Sequence, residues 1–292
     1  MPEMLFHEQL IAIRGAGDLA TGVALRLHRA GFPIIMLELP APLVVRRTVA
    51  FAEAVRQGSV TVEGVTAELV SDPVQARILA PKGTVVVMVD PEGTHLRRLR
   101  PSVIVDARLA KRNIDTTRND ARLVVGLGPG FTAGVDVHAV VETMRGHDLG
   151  RVIWEGSAHP DTGTPGLIGS KGVERVLRAP IAGHVRAAKQ IGDVVHEGEV
   201  IAIIEPEAGG QSAQVTAPFD GLLRGLIADD LVVPAGIKIG DVDPRPVDIT
   251  RVSDKALALG GGVVEAVLTW LSEEKSRRNG ANSAPNTEEG TS

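Results

Sequence analysis

The residues most able to do chemistry in this 292-residue chain cluster in its first half. Gly15-Ala16-Gly17-Asp18-Leu19-Ala20 reads as a tight glycine turn opening into a helix. Glycine at 15 and 17 lets a pyrophosphate approach the backbone, and Ala20 lets helix and strand pack closely. The free N–H groups of the new helix attract negative charge, while Asp18 complements the helix dipole with its side chain turned aside. Glu38 follows Gly17 by 21 residues and closes the next apolar run. An acid there accepts hydrogen bonds from ribose hydroxyls. Strand, turn, helix, strand and acid in that order point to a nucleotide site, and a fold of this shape that has lost its ligand reads the same way.

Further candidates surround that turn. Arg46 and Arg47 are either a solvated helix start or partners of an adenosine phosphate. Asp106 ends the apolar run 103–106, as a helix N-cap or as a ligand-facing acid at a strand's carboxyl end. In the second case Arg108, Lys111, Arg112 and Arg118 make the crevice attractive to an anion. Gly126, Gly128 and Gly130, with Pro129 among them, let the backbone close on a second ligand contact or form a crossover loop. Asp136, His138, Glu142 and His147 invite a metal, yet His138 and Glu142 share a face only in a helix, and alternation favours strand. No metal site is therefore expected. His138, His147 and Lys111 are the nearest proton donors for an oxidoreductase, but none has a spacing that signals the role. Catalytic residues stay unassigned, and whether the chain is an enzyme stays open.

Composition bounds the rest. The chain has no cysteine, which removes disulfides, thiolate nucleophiles and iron–sulfur clusters. Aromatic residues make up 2% and tyrosine is absent, so the cores must be Val, Ile, Leu and Ala, the residues of buried parallel strands. A net charge of −5 argues against nucleic acid. With no apolar run of about 18 residues and no basic-plus-apolar leader, neither a membrane span nor a signal peptide is expected, and the chain reads as cytoplasmic.

The elements that position these residues divide into an α/β protein. Residues 8–134 read as a Rossmann-like parallel-sheet, nucleotide-binding domain, with a hairpin inserted at 59–70 around Glu63-Gly64. Residues 135–173 read as a hairpin and linker. At 174–245 an internal repeat appears: Ala179-Pro180 recurs 38 residues later as Ala217-Pro218, and Gly192-Asp193-Val194-Val195 is echoed by Val232-Val233 and Gly240-Asp241. Its pattern resembles the halves of a biotinyl/lipoyl β-barrel (barrel-sandwich hybrid). The connecting stretch 205–211 holds no lysine, so covalent biotin or lipoate is not expected. Residues 250–272 read as a C-terminal helix broken at Gly260-Gly261-Gly262, and the polar residues 274–292 read as disordered.

Several stretches together resemble one family: 15–22, Arg46-Arg47-Thr48-Val49-Ala50-Phe51-Ala52-Glu53-Ala54-Val55, 60–67, 126–131, 145–152, 240–245 and 255–265. The chain, from about residue 9 to 272, resembles the YqeB-type accessory proteins of selenium-dependent molybdenum hydroxylase systems. That resemblance implies a maturation or accessory role toward a molybdenum hydroxylase or its other maturation proteins. The ligand implied is NAD(P) or another nucleotide, or the pterin-type molybdopterin cofactor, and a homo-oligomer is left open. Nothing in composition or spacing shows molybdenum or selenium. Two other readings stand beside it: an NAD(P)-dependent oxidoreductase, and a non-catalytic adaptor with a vacant Rossmann fold.

Overall fold

The computed structural model describes residues 4–163 and 171–282. The chain begins with β1 (Ile11–Arg14), α1 (Asp18–Arg29), β2 (Ile34–Glu38), α2 (Ala54–Gln57), β3 (Ser59–Val62), β4 (Val65–Leu69), α3 (Pro73–Leu79), β5 (Val85–Val89), α4 (Thr94–Leu99), β6 (Val103–Asp106) and β7 (Leu123–Leu127). Next come the short strands β8 (Thr132–Ala133), β9 (Ala139–Val141), β10 (Val152–Ile153) and β11 (Gly156–Ser157). The first unit centres on a nine-stranded sheet in the order β10-β9-β7-β6-β1-β2-β5-β4-β3. Its inner strands are runs such as IIMLE, VVVMV and LVVGL, apolar without alternation because helices or loops cover both faces.

This sheet is mixed, which corrects the expectation of a parallel Rossmann-like sheet. Seven neighbouring strands run parallel, but β3 pairs antiparallel with β4 at one edge and β10 with β9 at the other. The β3–β4 turn at Glu63 and Gly64 has φ of 46° and 81°, the twist that a two-residue hairpin needs. The second half also lacks the helical crossovers of a doubly wound fold. Residues 107–122 connect β6 to β7 with no helix. The face that such a helix would cover is open beside α4.

The other face is covered by α1 and by α5 (Asp254–Asn282), which packs against α1, β7, β9 and β10. The expected break at Gly260–Gly262 is absent; one helix runs through it and on to Asn282, and the rest of the stretch expected to be disordered, 283–292, lies outside the described residues. The glycines serve a close approach instead. A Cβ at Gly22 would lie 2.5 Å from that of Ala256, and one at Gly260 would lie 2.6 Å from Arg26 Cγ and 2.8 Å from the Gly22 carbonyl oxygen. Residues 254–279 are long and apolar enough, by length and composition, to cross a membrane, although 44% of the most apolar window is buried inside the protein.

The remaining strands are β12 (Val176–Arg178), β13 (Gly183–Ala187), β14 (Val194–Val195), β15 (Val200–Glu205), β16 (Ala213–Thr216), β17 (Gly221–Leu226), β18 (Val232–Val233) and β19 (Lys238–Asp243). They form two antiparallel sheets, β12-β19-β17-β14 and β16-β15-β13-β18. The expected biotinyl/lipoyl barrel is not formed. No ladder among the described residues joins one sheet to the other, so neither closes. Each sheet draws two strands from each half of the sequence repeat, because a half alone cannot cover its own apolar face. Leu177, Val185, Ile201, Leu223, Ile239 and Val242 fill the core between the sheets.

Candidate functional site

The glycine turn after β1 does not form the expected dinucleotide crevice. Gly15, at φ 98°, faces protein: a Cβ there would lie 3.1 Å from the Ala107 carbonyl oxygen, so the loops after β1 and β6 close on one another. The Glu38 carboxylate turns back and accepts the N–H of Ala16 at 2.8 Å and of Leu39 at 2.7 Å. One of the turn's own donors is thereby taken up by the acid that was to hold a ribose. Burial raises the Glu38 pKa, and these two bonds oppose the rise. Gly17 precedes α1 as its N-cap and Ala20 is buried beneath it. The NAD(P)-binding Rossmann reading is withdrawn on this geometry.

Arg46 and Arg47 are also drawn away from any adenosine phosphate. Arg46 pairs with Asp18 at 3.5 Å and donates to the Arg251 carbonyl at 3.1 Å. Arg47 donates to the Leu226 carbonyl at 2.9 Å and pairs with Glu53 at 3.3 Å. Both arginines thus tie the loop after β2 to the C-terminal part of the chain. The glycine loop 126–130 is likewise occupied by protein. A Cβ at Gly126 would meet the Phe131 ring, one at Gly128 the Thr143 hydroxyl, and one at Gly130 the backbone of Arg112, each at 2.5 Å. Lys111 pairs with Asp161 at 2.7 Å.

The structure does bring together the acids and bases at the carboxyl ends of β1 and β6, where Arg14 and Asp106 are register partners. Asp106 is 1% exposed and Thr116 1%. The Thr116 hydroxyl donates to Asp106 at 2.6 Å and accepts from Arg14 at 2.7 Å and Arg108 at 3.1 Å. Arg108 chelates Asp106 through Nε at 3.1 Å and Nη2 at 2.6 Å, and reaches Asp115 at 2.7 Å. Arg14 binds Asp115 at 2.8 Å. Burial works against the Arg108 charge, but its bonds to Asp106 and Asp115 prevail and raise its pKa. The bond from Arg14 leads the causes that hold the Asp115 carboxyl below its usual range.

Arg14 and Asp115 of this network also line a cavity of about 920 Å³, together with Arg97, Arg100, Arg118, Arg122 and His138. It lies on the open face beside α4, with Leu96 and Ile104 as its apolar floor. Glu92, Asp115 and Asp120 also line it. Of its five arginines, Arg122 is paired with Glu274 and stacked on Trp270 of α5; Arg14, Arg97, Arg100 and Arg118 against the three carboxylates leave the lining cationic, and guanidinium is the group best matched to phosphate oxygens. Sequence reasoning singled out Arg118 but missed Arg14, Arg97, Arg100 and Arg122. Arginine at a strand end, on a short helix or in a loop is indistinguishable from solvated surface until the chain folds.

A second cavity of about 360 Å³ is lined by Glu142, Asp148, Arg151 and His159 among others. Buried Glu142 commits its carboxylate to the N–H groups of Met144 and His159, at 2.6 and 2.7 Å. Asp136 accepts the Thr132 N–H at 2.9 Å. Among the described residues no group of three or more His, Asp and Glu side chains is placed to hold a metal ion.

Fold and site together define a mixed α/β protein with an arginine-lined cavity on its main sheet and a pair of open antiparallel sheets beyond it. The chain is similar to the uncharacterized protein YqeB of Escherichia coli (strain K12), with 52% identity over 265 residues, 90% of this chain. That likeness supports a YqeB-type family. The chain spans about half the length of that relative, 48%. No protein-family model matches. Solved structures with some likeness include an aspartoacylase family protein of Mesorhizobium loti (11% identity, 82% of this chain and 86% of that one, TM-score 0.29). Another is a succinylglutamate desuccinylase/aspartoacylase of Rhodobacter sphaeroides (14% identity, 82% and 86%, TM-score 0.28). Likeness this slight carries no argument about fold or activity.

Proposed function

We propose that this chain is an accessory protein that binds a phosphate-bearing, pterin-type cofactor in its arginine-lined cavity, in support of a selenium-dependent molybdenum hydroxylase. The observation that carries the binding half is the gathering of Arg14, Arg97, Arg100 and Arg118 on one cavity of about 920 Å³ with an apolar floor. The donor set fits a molybdopterin-type ligand. Guanidinium groups suit its phosphate, and Leu96, Pro101 and Ile104 offer an apolar wall for a flat ring. The chain has no cysteine to ligate the metal, so its part would be to hold and present the cofactor. The hydroxylase half rests on the sequence resemblance alone.

Calorimetric titration tests the reading, using molybdopterin cofactor released from a donor enzyme and inorganic pyrophosphate as a plain-phosphate control. Saturable binding of the cofactor is expected, weakened about tenfold or more by Arg118→Ala, the scale of a hydrogen bond to a charged group. If the folded wild-type protein binds neither compound, the cavity is no ligand site and the non-catalytic adaptor reading takes its place.

A further inference from the structure

His138 immediately precedes β9 and meets Val124 of β7 twice. Its own N–H donates to the Val124 carbonyl at 2.9 Å, and the Val124 N–H donates to its ring Nδ1 at 3.0 Å. A backbone N–H cannot donate to a nitrogen that already carries a proton. Nδ1 is therefore the bare nitrogen of the ring, and the proton sits on Nε2. Nε2 has no hydrogen-bond partner among the described residues, and His138 lines the cationic cavity. The charged form of the ring is also disfavoured. Burial, and then the nearby Arg118 charge, push its pKa down. Protonation would in addition break the Val124 bond. The other charged groups lining the cavity are Arg14, Glu92, Arg97, Arg100, Asp115, Asp120 and Arg122, the last paired with Glu274.

We propose that His138 is a ligand-positioning residue of the cavity, with Nε2–H donating a hydrogen bond to an oxygen of a phosphate or sulfate dianion drawn in by the arginines. The inference rests on the cavity being a ligand site. It adds that one contact in a field of permanent cations is directional and does not titrate. A histidine bound as imidazolium would behave otherwise, strengthening anion binding as pH falls below about 6.5, its ordinary pKa.

The test uses sulfate, which stays a dianion across the pH range used, with the full-length protein labelled with ¹⁵N. The His138 ring nitrogens should show one neutral tautomer from pH 8 to pH 6, and the Nε2 signal should shift saturably with sulfate. The sulfate Kd should stay flat over the same range. Two variants separate support of the fold from contact with the ligand. In His138→Asn, Oδ1 still accepts the Val124 N–H, but the amide N–H stands at the Cδ2 position and no donor is left at that of Nε2, and affinity should fall about tenfold. In His138→Gln the amide N–H stands near the Nε2 position, and affinity should stay within about threefold of wild type. Where a variant fails to fold, the wild-type ring signals decide the matter.

Three results would overturn the proposal, and they are distinguishable. If the Asn variant binds sulfate as wild type does while Arg118→Ala does not, His138 only supports the sheet and the cavity reading survives. If affinity rises as pH falls through 6.5 and the ring becomes doubly protonated, the contact is imidazolium. If folded wild type shows no saturable sulfate shift, the cavity reading falls together with the role of His138.

Discussion

The Thr116 hydroxyl serves three charged partners at once, accepting from Arg14 and Arg108 and donating to Asp106. Its removal leaves a carboxylate that is 1% exposed short of a donor, and two arginines short of an acceptor. Thr116→Val should therefore cost about 1–3 kcal/mol, the penalty for buried unsatisfied groups, read as a fall in the urea midpoint at constant slope. An unchanged midpoint would show that the network is solvated and relaxes freely. Asp115, on the exposed rim, predicts a pH dependence. Its folded pKa lies below its ordinary 3.8, through Arg14 first and then, after opposing burial, Arg108. A depressed folded pKa stabilises above the unfolded value, and that stability is lost as pH falls through the folded one. The stability difference between wild type and Asp115→Asn should thus be full at pH 6 and shrink below about pH 4. A difference that holds constant to pH 2 would remove Asp115 from the linkage.

Helix α5 shows how one element can be misread from its composition. Three consecutive glycines suggest a turn, yet α5 continues because two of them allow proximity to neighbouring backbone. Gly260 sits against Gly22 and Arg26 of α1, whereas a Cβ at Gly261 would meet nothing within 4 Å. The adjacent residues should then respond with opposite sign. Gly260→Ala forces the helices apart and should destabilise by about 1–3 kcal/mol, as overpacking does. Gly261→Ala removes only the entropic cost of glycine and should stabilise by about 0.5–1 kcal/mol. Thermal unfolding of the two variants decides it, and destabilisation by both would mean that the helix is not continuous there. The β6–β7 connection is the complementary case: residues 107–122 lack a helix, and the cavity exists because of that lack.

At the scale of the whole molecule, one short stretch after β2 bonds both the double-sheet unit, through Arg47, and the segment that leads from it to α5, through Thr48 and Arg46. Arg47 donates to the Leu226 carbonyl of β17, Thr48 to the Ile249 carbonyl at 2.6 Å, and Arg46 to that of Arg251. Gly225 permits the approach, since a Cβ there would lie 2.7 Å from Val45 Cγ1. The two units should therefore unfold together. Arg47→Ala removes a charged donor from a partly buried contact and should cost about 1.5–3 kcal/mol. Scanning calorimetry should then resolve two transitions where the wild type has one. A single transition in both proteins would place the coupling elsewhere. In the sequence, the same stretch, Arg46-Arg47-Thr48, reads equally well as a phosphate contact. Side-chain chemistry alone does not tell a carbonyl oxygen from a phosphate oxygen.

Local pattern made much of this molecule legible. The apolar runs at β1, β2, β5, β6 and β7, the Glu63-Gly64 hairpin, the turn after β1 and the repeat in 174–245 depend on residues adjacent in the chain. Short-range sterics and burial periodicity decide such features. What each glycine and each charge faces was decided by the tertiary structure. Gly15 meets Ala107, Gly128 meets Thr143, Gly130 meets Arg112 and Gly22 meets Ala256, and none of these partners is near in sequence. Closure of the two small sheets turns on whether their edge strands meet, and a strand pattern does not encode that. The cavity draws its arginines from β1, from α4 and its flanks, and from 107–122. Its charge is thus a sum over distant segments, each unremarkable alone, and only the folded sheet gathers them on one face.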